Sequence, residues 1–210
     1  MSAQVVEVDH PLVRHKLGLL RDVTTTTQMF RQLVNELTLL LTYEATKELA
    51  TETVDIETPL QWTSAERITG KKVAVCPILR AGMGMLDGVL SLIPGARVGF
   101  IGLYRNEETL EAVEYFVKLP NDIADRDVIL LDPMLATGNS TAAAVTIVKG
   151  AGATSIRLIA LIAAPEGIER IHREHPDVSI VVASIDAALN DKGFIVPGLG
   201  DAGDRLYGTK

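Results

Sequence analysis

The chain has 210 residues, 47% hydrophobic content and a formal net charge of −7, with a pI near 5.1. That size suits one domain, 1–210, whose core needs no covalent staples, and no stretch gathers Lys and Arg into a surface for a nucleic-acid backbone. A lone cysteine excludes an intrachain disulfide, residues 1–7 lack a basic segment followed by an apolar run, and apolar stretches such as 158–164 fall far short of the roughly 20 residues that cross a bilayer. A cytoplasmic protein with neither nucleic acid nor membrane as partner is expected.

From Thr27 to about Ala50, Met29, Phe30, Leu33, Leu37, Leu40 and Leu41 recur at helical spacing, with Thr27 placed as an N-cap. A polar, irregular stretch containing Pro59 and Gly70 follows. Four short β-branched or apolar runs then read as buried strands: 73–76, 98–104, 128–131 and 156–163. Between the last two, the Ala- and Val-rich segment 141–149 reads as a helix that stops at Gly150-Ala151-Gly152. Pro165-Glu166 opens a further helix, because proline suits the first turn and the acid favours the dipole there. Residues 179–183 supply one more strand. Strands alternating with helices predict an α/β fold with a doubly wound, mostly parallel sheet, whose ligands lie beyond the carboxyl ends of the strands.

The sharpest feature is the run from Val128 through Asp132, Pro133, Met134, Leu135, Ala136, Thr137, Gly138, Asn139 and Ser140, an apolar strand that enters a small-residue loop and then a helix. Residues 137–141 can direct N–H groups and hydroxyls toward one point at a helix N-terminus, which suits a phosphate. The dipole contributes only about 0.3–1 kcal/mol there, whereas each hydrogen bond to a charged group contributes roughly 1.5–3 kcal/mol. Donor geometry therefore matters more than net charge. Asp132, at the end of the strand, offers its oxygens to ribose hydroxyls beside the phosphate. No G-x-x-x-x-G-K-[ST] or strand-linked G-x-G-x-x-G is present, so a P-loop enzyme or a dinucleotide fold is unsupported.

This segment resembles the motif that binds 5-phosphoribosyl-1-diphosphate (PRPP) in the phosphoribosyltransferases, and 132–140 matches the version of the uracil-specific family. Pro133 replaces the second acid of the wider motif, a trait of the uracil family. Asn139 stands where that family usually has glycine, an exchange that a left-handed backbone at Asn139 would accommodate. The run 77–85, with Arg80, Gly82 and Gly84, looks like the family's diphosphate loop, in which Arg80 grips PRPP through forked bonds; its plain alternative is a solvent-facing arginine on a turn. The polar run 104–110, followed by the alternating 112–118, is similar to the family's β-arm or lid, with Arg105 on the diphosphate in the closed state. Alternatively, Arg105 pairs with Glu107 or Glu108 in a solvated loop.

The tail from Asn190 crowds Gly193, Pro197, Gly198, Gly200, Gly203 and Gly208 into its last residues, and reads as an ordered loop too glycine-rich for a regular element. A close backbone of alternating N–H and C=O groups can read the edge of uracil and reject cytosine, whose N3 and 4-amino group leave buried partners unpaired. The stretch resembles the family's base-binding hood, which implies Ile195, Gly200, Asp201 and Ala202 around uracil, with Asp201 also on PRPP. The likeness extends from 9–18 to the terminus. It implies a type I phosphoribosyltransferase fold and a glycosyltransferase of pyrimidine salvage that turns uracil and PRPP into UMP and pyrophosphate. Asp132 and Arg105 are the catalytic candidates and Mg2+ is held through PRPP, with no protein metal ligands. A homo-oligomer and, as in some members, GTP as activator are also implied. The other readings are a regulatory RNA-binding protein on the same scaffold and a transferase for another base; the acidic balance speaks against the first. His172 and His175 are expected exposed at the end of a charged helix, Cys76 buried in its strand, and Met83 and Met85 in packing.

Overall fold

The structure is a computed structural model that describes residues 4–70, 73–105 and 112–209. β1 (Val5–Glu7) precedes α1 (Pro11–Arg21), α2 (Thr27–Ala45), β2 (Thr51–Glu57) and β3 (Trp62–Ile68). β4 (Val73–Leu79), a short 3-10 segment (Ala81–Met85) and α3 (Leu86–Leu92) lead to β5 (Arg97–Val98), β6 (Phe100–Arg105) and β7 (Ala112–Lys118). Then come β8 (Asp127–Leu131), β9 (Met134–Leu135), α4 (Asn139–Gly150), β10 (Ser155–Ala163), α5 (Pro165–Glu174) and β11 (Ser179–Ile185). β12 (Ala188–Leu189), β13 (Ile195–Val196) and α6 (Ala202–Tyr207) close the chain.

The main sheet runs β1-β11-β10-β8-β4-β6-β7, with β5 beside β4 and β9 beside β10. Its strand pairs are parallel except β6 with β7. This is the expected doubly wound, mostly parallel sheet, and the strand period explains why its runs are apolar throughout. Val73, Val75, Ile129, Leu131, Ile159, Leu161 and Val181 face a core shared with Phe30, Leu33 and Leu37 of α2. Their neighbours Ala74, Cys76, Val128, Leu130, Leu158, Ala160 and Ile180 face the other core, shared with Val145 and Val148 of α4 and Ile171 of α5. Both faces are covered, so polar residues are confined to the ends of these strands. Each fully buried Leu or Ile contributes about 1.5–3 kcal/mol, well above any intrinsic strand preference. Cys76 is fully buried, and burial pushes its thiol up to about 12.

Several elements depart from the sequence reading. The cap of α2 is Thr26, whose hydroxyl accepts from the Met29 N–H at 3.3 Å, and the helix ends at Ala45 rather than near Ala50. The predicted strand 98–104 breaks at Gly99, where a Cβ would lie 2.9 Å from Cys76 Sγ. His175 is only 8% exposed and its Nε2 lies 3.1 Å from the Ala142 carbonyl oxygen, while His172 is half-buried. Both were expected in solvent; His175, which follows α5, is instead set against Ala142 and Thr146 of α4. Met85 is buried as expected, but Met83 is 41% exposed.

The irregular stretch forms a hairpin, with β2 and β3 antiparallel from Thr51↔Ile68 to Glu57↔Trp62. Its alternation mixes Thr, Glu and Asp with Val54 and Ile56, so no buried face marks it in the sequence. Among the described residues no helix is long and apolar enough to cross a membrane.

Candidate active site

The carboxyl ends of β4 and β8, adjacent parallel strands, feed the two loops that the sequence singled out. After β8, Asp132 donates its N–H to the Ile159 carbonyl at 3.2 Å, and β9 pairs with the far end of β10. The Pro133 carbonyl accepts from the Leu161 and Ile162 N–H groups at 3.1 and 3.2 Å. The loop therefore leaves the sheet held along β10 by main-chain bonds. Gly138 then takes φ +77° as the N-cap of α4 and places no side chain on the first amides. The left-handed residue is thus Gly138, not Asn139, which begins the helix. Asn139 instead accepts through Oδ1 from Arg170 Nη1 of α5. The asparagine is accommodated by a side-chain partner rather than by an unusual backbone.

An N-cap without a side-chain acceptor leaves the amides of the first turn directed outward, which is the arrangement that receives an anion. Beside it, Asp132 accepts from Thr141 Oγ1 at 3.0 Å and from the Met134 N–H at 3.4 Å. Burial pushes its carboxyl up to about 6, against these two hydrogen bonds, which pull it down. The residue is half-buried at the floor of an open cleft, so water relieves part of that desolvation.

The cleft has a volume of about 340 Å3, within the usual range for small-molecule sites. Asp132, Pro133, Met134, Ala136, Thr137, Gly138, Asn139, Ser140 and Thr141 line one side, and Lys192, Gly193, Phe194, Ile195 and Asp201 line the other, with Ala81 from the β4 loop. Of the site candidates, Leu135 is fully buried beneath the loop, Ala202 is fully buried, and Gly200 is exposed beside the lining. Arg80 is exposed just outside the lining, after a cis Leu79–Arg80 peptide, and its carbonyl accepts from the Tyr207 hydroxyl at 2.9 Å. Arg105 ends β6, while the lid expectation for Glu107, Glu108 and the rest of 106–111 lies outside the described residues.

The tail is more regular than its glycines suggested. Asp201 caps α6 by accepting from the Asp204 N–H at 2.9 Å, so one of its oxygens is committed to the helix. Lys192 and Phe194 were not singled out by the sequence. Asn190 Oδ1 accepts from both of their N–H groups at 3.0 Å, and this Asx-type turn aims them into the cleft. The run Asn190-Asp191-Lys192-Gly193 was the available signal.

Comparison with known proteins agrees with this geometry. A family model described as uracil phosphoribosyltransferase matches residues 6–209. Curated proteins of that name from Clostridium botulinum (strain Eklund 17B / Type B) and Staphylococcus aureus (strain Newman) are each 60% identical. The first aligns over 99% of this chain and 100% of its own length, the second over 96% and 97%. The AQ2163 protein of Aquifex aeolicus superposes with a TM-score of 0.94 at 40% identity, covering 99% of both chains. An adenine phosphoribosyl transferase from Trypanosoma brucei shares the fold alone, at TM-score 0.57 and 14% identity over 94% of this chain and 87% of that one. On a match spanning almost all of its residues, the chain belongs to the uracil phosphoribosyltransferase family.

Proposed function

We propose that the protein transfers the 5-phosphoribosyl group of PRPP to uracil, giving UMP and pyrophosphate. The observation that carries this reading is the facing of an amide-lined helix start and a glycine-rich tail across one cleft, with Asp132 between them. Residues 137–141 receive the 5'-phosphate, Asp132 and Asp201 the ribose side, and Ile195, Gly200 and Ala202 the base. Arg80 and Arg105 act on the diphosphate. The residues mainly position the two substrates and neutralise the leaving group. Magnesium fits the donor set, since Asp132 and Asp201 line the same cavity and ribose hydroxyls and the water shell of the ion both find acceptors there. Bound there with the diphosphate, the ion would supply charge neutralisation for the leaving group. The reaction belongs to the cytoplasm. Purified protein incubated with PRPP, Mg2+ and labelled uracil is expected to form UMP and pyrophosphate in equal amounts. Absence of UMP at high enzyme concentration rejects the reading, and addition of GTP tests whether this member is activated.

We further propose a homo-oligomer built through the β2–β3 hairpin. An isolated two-stranded hairpin is marginal in water, yet this one holds Leu60 at 95% exposure and Trp62 at 66% near its turn. A second copy that covers these side chains removes the anomaly. Trp62→Asp is expected to shift the sedimentation coefficient toward that of a monomer; an unchanged assembly removes the hairpin from the interface.

A further inference from the structure

The base-binding tail does not hold its own shape; Arg21 and the buried Asp186 on other elements, with Arg205 of its own α6, tie it to the body of the fold. Asp186, just after β11, is 5% exposed. Arg21, at the end of α1, approaches it with a fork, Nη1 to Oδ2 at 2.7 Å and Nη2 to Oδ1 at 2.5 Å. The same Nη1 donates to the Gly198 carbonyl at 2.6 Å, while the Gly198 N–H donates to Asp186 Oδ2 at 2.8 Å. Both main-chain groups of Gly198 are therefore fixed by one ion pair. The next carbonyl, of Leu199, accepts from Arg205 Nη1 at 2.8 Å. Arg205 also reaches the Leu20 and Asp22 carbonyls, at 2.7 and 2.6 Å, and lies over the Phe30 ring at 4.4 Å. Two consecutive carbonyls are thus turned toward α1 and the start of α2.

Only glycine fits the backbone at position 198 in this arrangement. Its φ is +66°, and a Cβ there would lie 2.1 Å from the Ile195 carbonyl oxygen. With the amide and carbonyl of Gly198 and the carbonyl of Leu199 engaged away from the cleft, the direction of the following main chain, Gly200 to Ala202, is set. A guanidinium fork fixes orientation as well as distance, which a single ammonium does not. Burial raises the Asp186 carboxyl, but the Arg21 pair and the Gly198 amide outweigh it, so the group is held below its ordinary range and stays ionised.

We infer that Arg21, Asp186 and Arg205 are positioning residues for base recognition, which set how the main chain of 200–202 meets the pyrimidine without touching it themselves. This rests on the uracil-site reading given above. The variants are Arg21→Lys and Arg205→Lys, which keep the charge and lose the fork, and Asp186→Asn. Each is expected to raise KM for uracil by roughly tenfold to a hundredfold, as for loss of a hydrogen bond to a charged group. KM for PRPP rises markedly less, because Asp201 is its one partner in this stretch and the phosphate loop lies on the other side of the cleft. Parallel rises in both constants, or an unchanged KM for uracil, overturn the inference. Amide hydrogen exchange supplies a reading independent of activity. Exchange in 193–204 quickens in Arg21→Lys and Arg205→Lys while that of β8 and α4 does not, and unchanged exchange in the tail overturns the positioning role even if Asp186→Asn fails to fold. Should the wild type turn over no uracil while tail exchange still responds, the substrate reading fails and the clamp on the tail stands.

Discussion

Asp132→Asn is expected to lower kcat/KM for UMP formation by about a hundredfold while melting at or slightly above the wild-type temperature. An amide of the same shape still accepts from the Met134 N–H through its oxygen and donates its NH2 to Thr141 Oγ1, whose hydroxyl turns to accept, so the loop keeps its form, but it cannot bind ribose hydroxyls as a full anion. The stability sign follows from linkage. Burial puts the folded carboxyl near 6, above the unfolded value of about 3.9, so the native state binds the proton more tightly and this group's contribution declines as pH rises between those two values. Above that window the ionised side chain is a native-state cost of order 1 kcal/mol, once water in the cleft is allowed for, and asparagine relieves it. Activity runs the opposite way. Turnover at limiting PRPP falls as pH drops below about 6, and the Asn variant lacks that limb. Kinetics and melting curves from pH 5 to 8 check both statements; unchanged turnover, or a melting point several degrees lower, contradicts them.

Gly167→Ala should raise KM for PRPP roughly tenfold to a hundredfold, although Gly167 does not line the cleft. It sits in the first turn of α5, where a Cβ would lie 2.4 Å from the Ala136 carbonyl oxygen and 2.8 Å from that of Leu135. Backbone cannot yield as a flexible side chain does, so the phosphate loop moves outward and its amides lose their common focus. Overpacking of this kind also costs about 1–3 kcal/mol of stability. Gly150→Ala is the control: nothing lies within 4 Å of its added Cβ, and a helix-end alanine there is neutral or stabilising by a few tenths of a kcal/mol. If the two substitutions have the same effect on KM, the close approach of α5 is not what holds the loop.

What could be read from the sequence follows from where burial is double. β4, β8, β10 and β11 have both faces covered, so their apolar runs stand out, and the loop proposed for the phosphate is announced by the strand, the small residues and the helix that follow one another there. The hairpin β2–β3 could not be read this way, since neither of its strands has a buried residue and its polar β-formers carry no periodic mark. α1 was hidden for a different reason. Its start is a His10 side chain accepting from the Leu12 N–H with Pro11 at the first position, and only Val13, Leu17 and Leu20 are buried. In the tail, a glycine count concealed α6, whose six residues are held by the Asp201 cap and by Arg31 Nε donating to the Leu206 carbonyl. His175 was misplaced because enclosure by α4 is a tertiary event. Lys192 and Phe194 reach the cleft through a turn whose direction a linear pattern does not carry.

Gly82 meets the end of β8 so closely that a Cβ on it would lie 2.3 Å from the Leu131 carbonyl oxygen. The segment proposed for the diphosphate and the one proposed for the nucleotide phosphate are therefore neighbours at atomic contact, not separate modules. For anyone recombining relatives into chimaeras, they form an indivisible cassette: a donor's version of either one, transplanted by itself, arrives against a foreign wall.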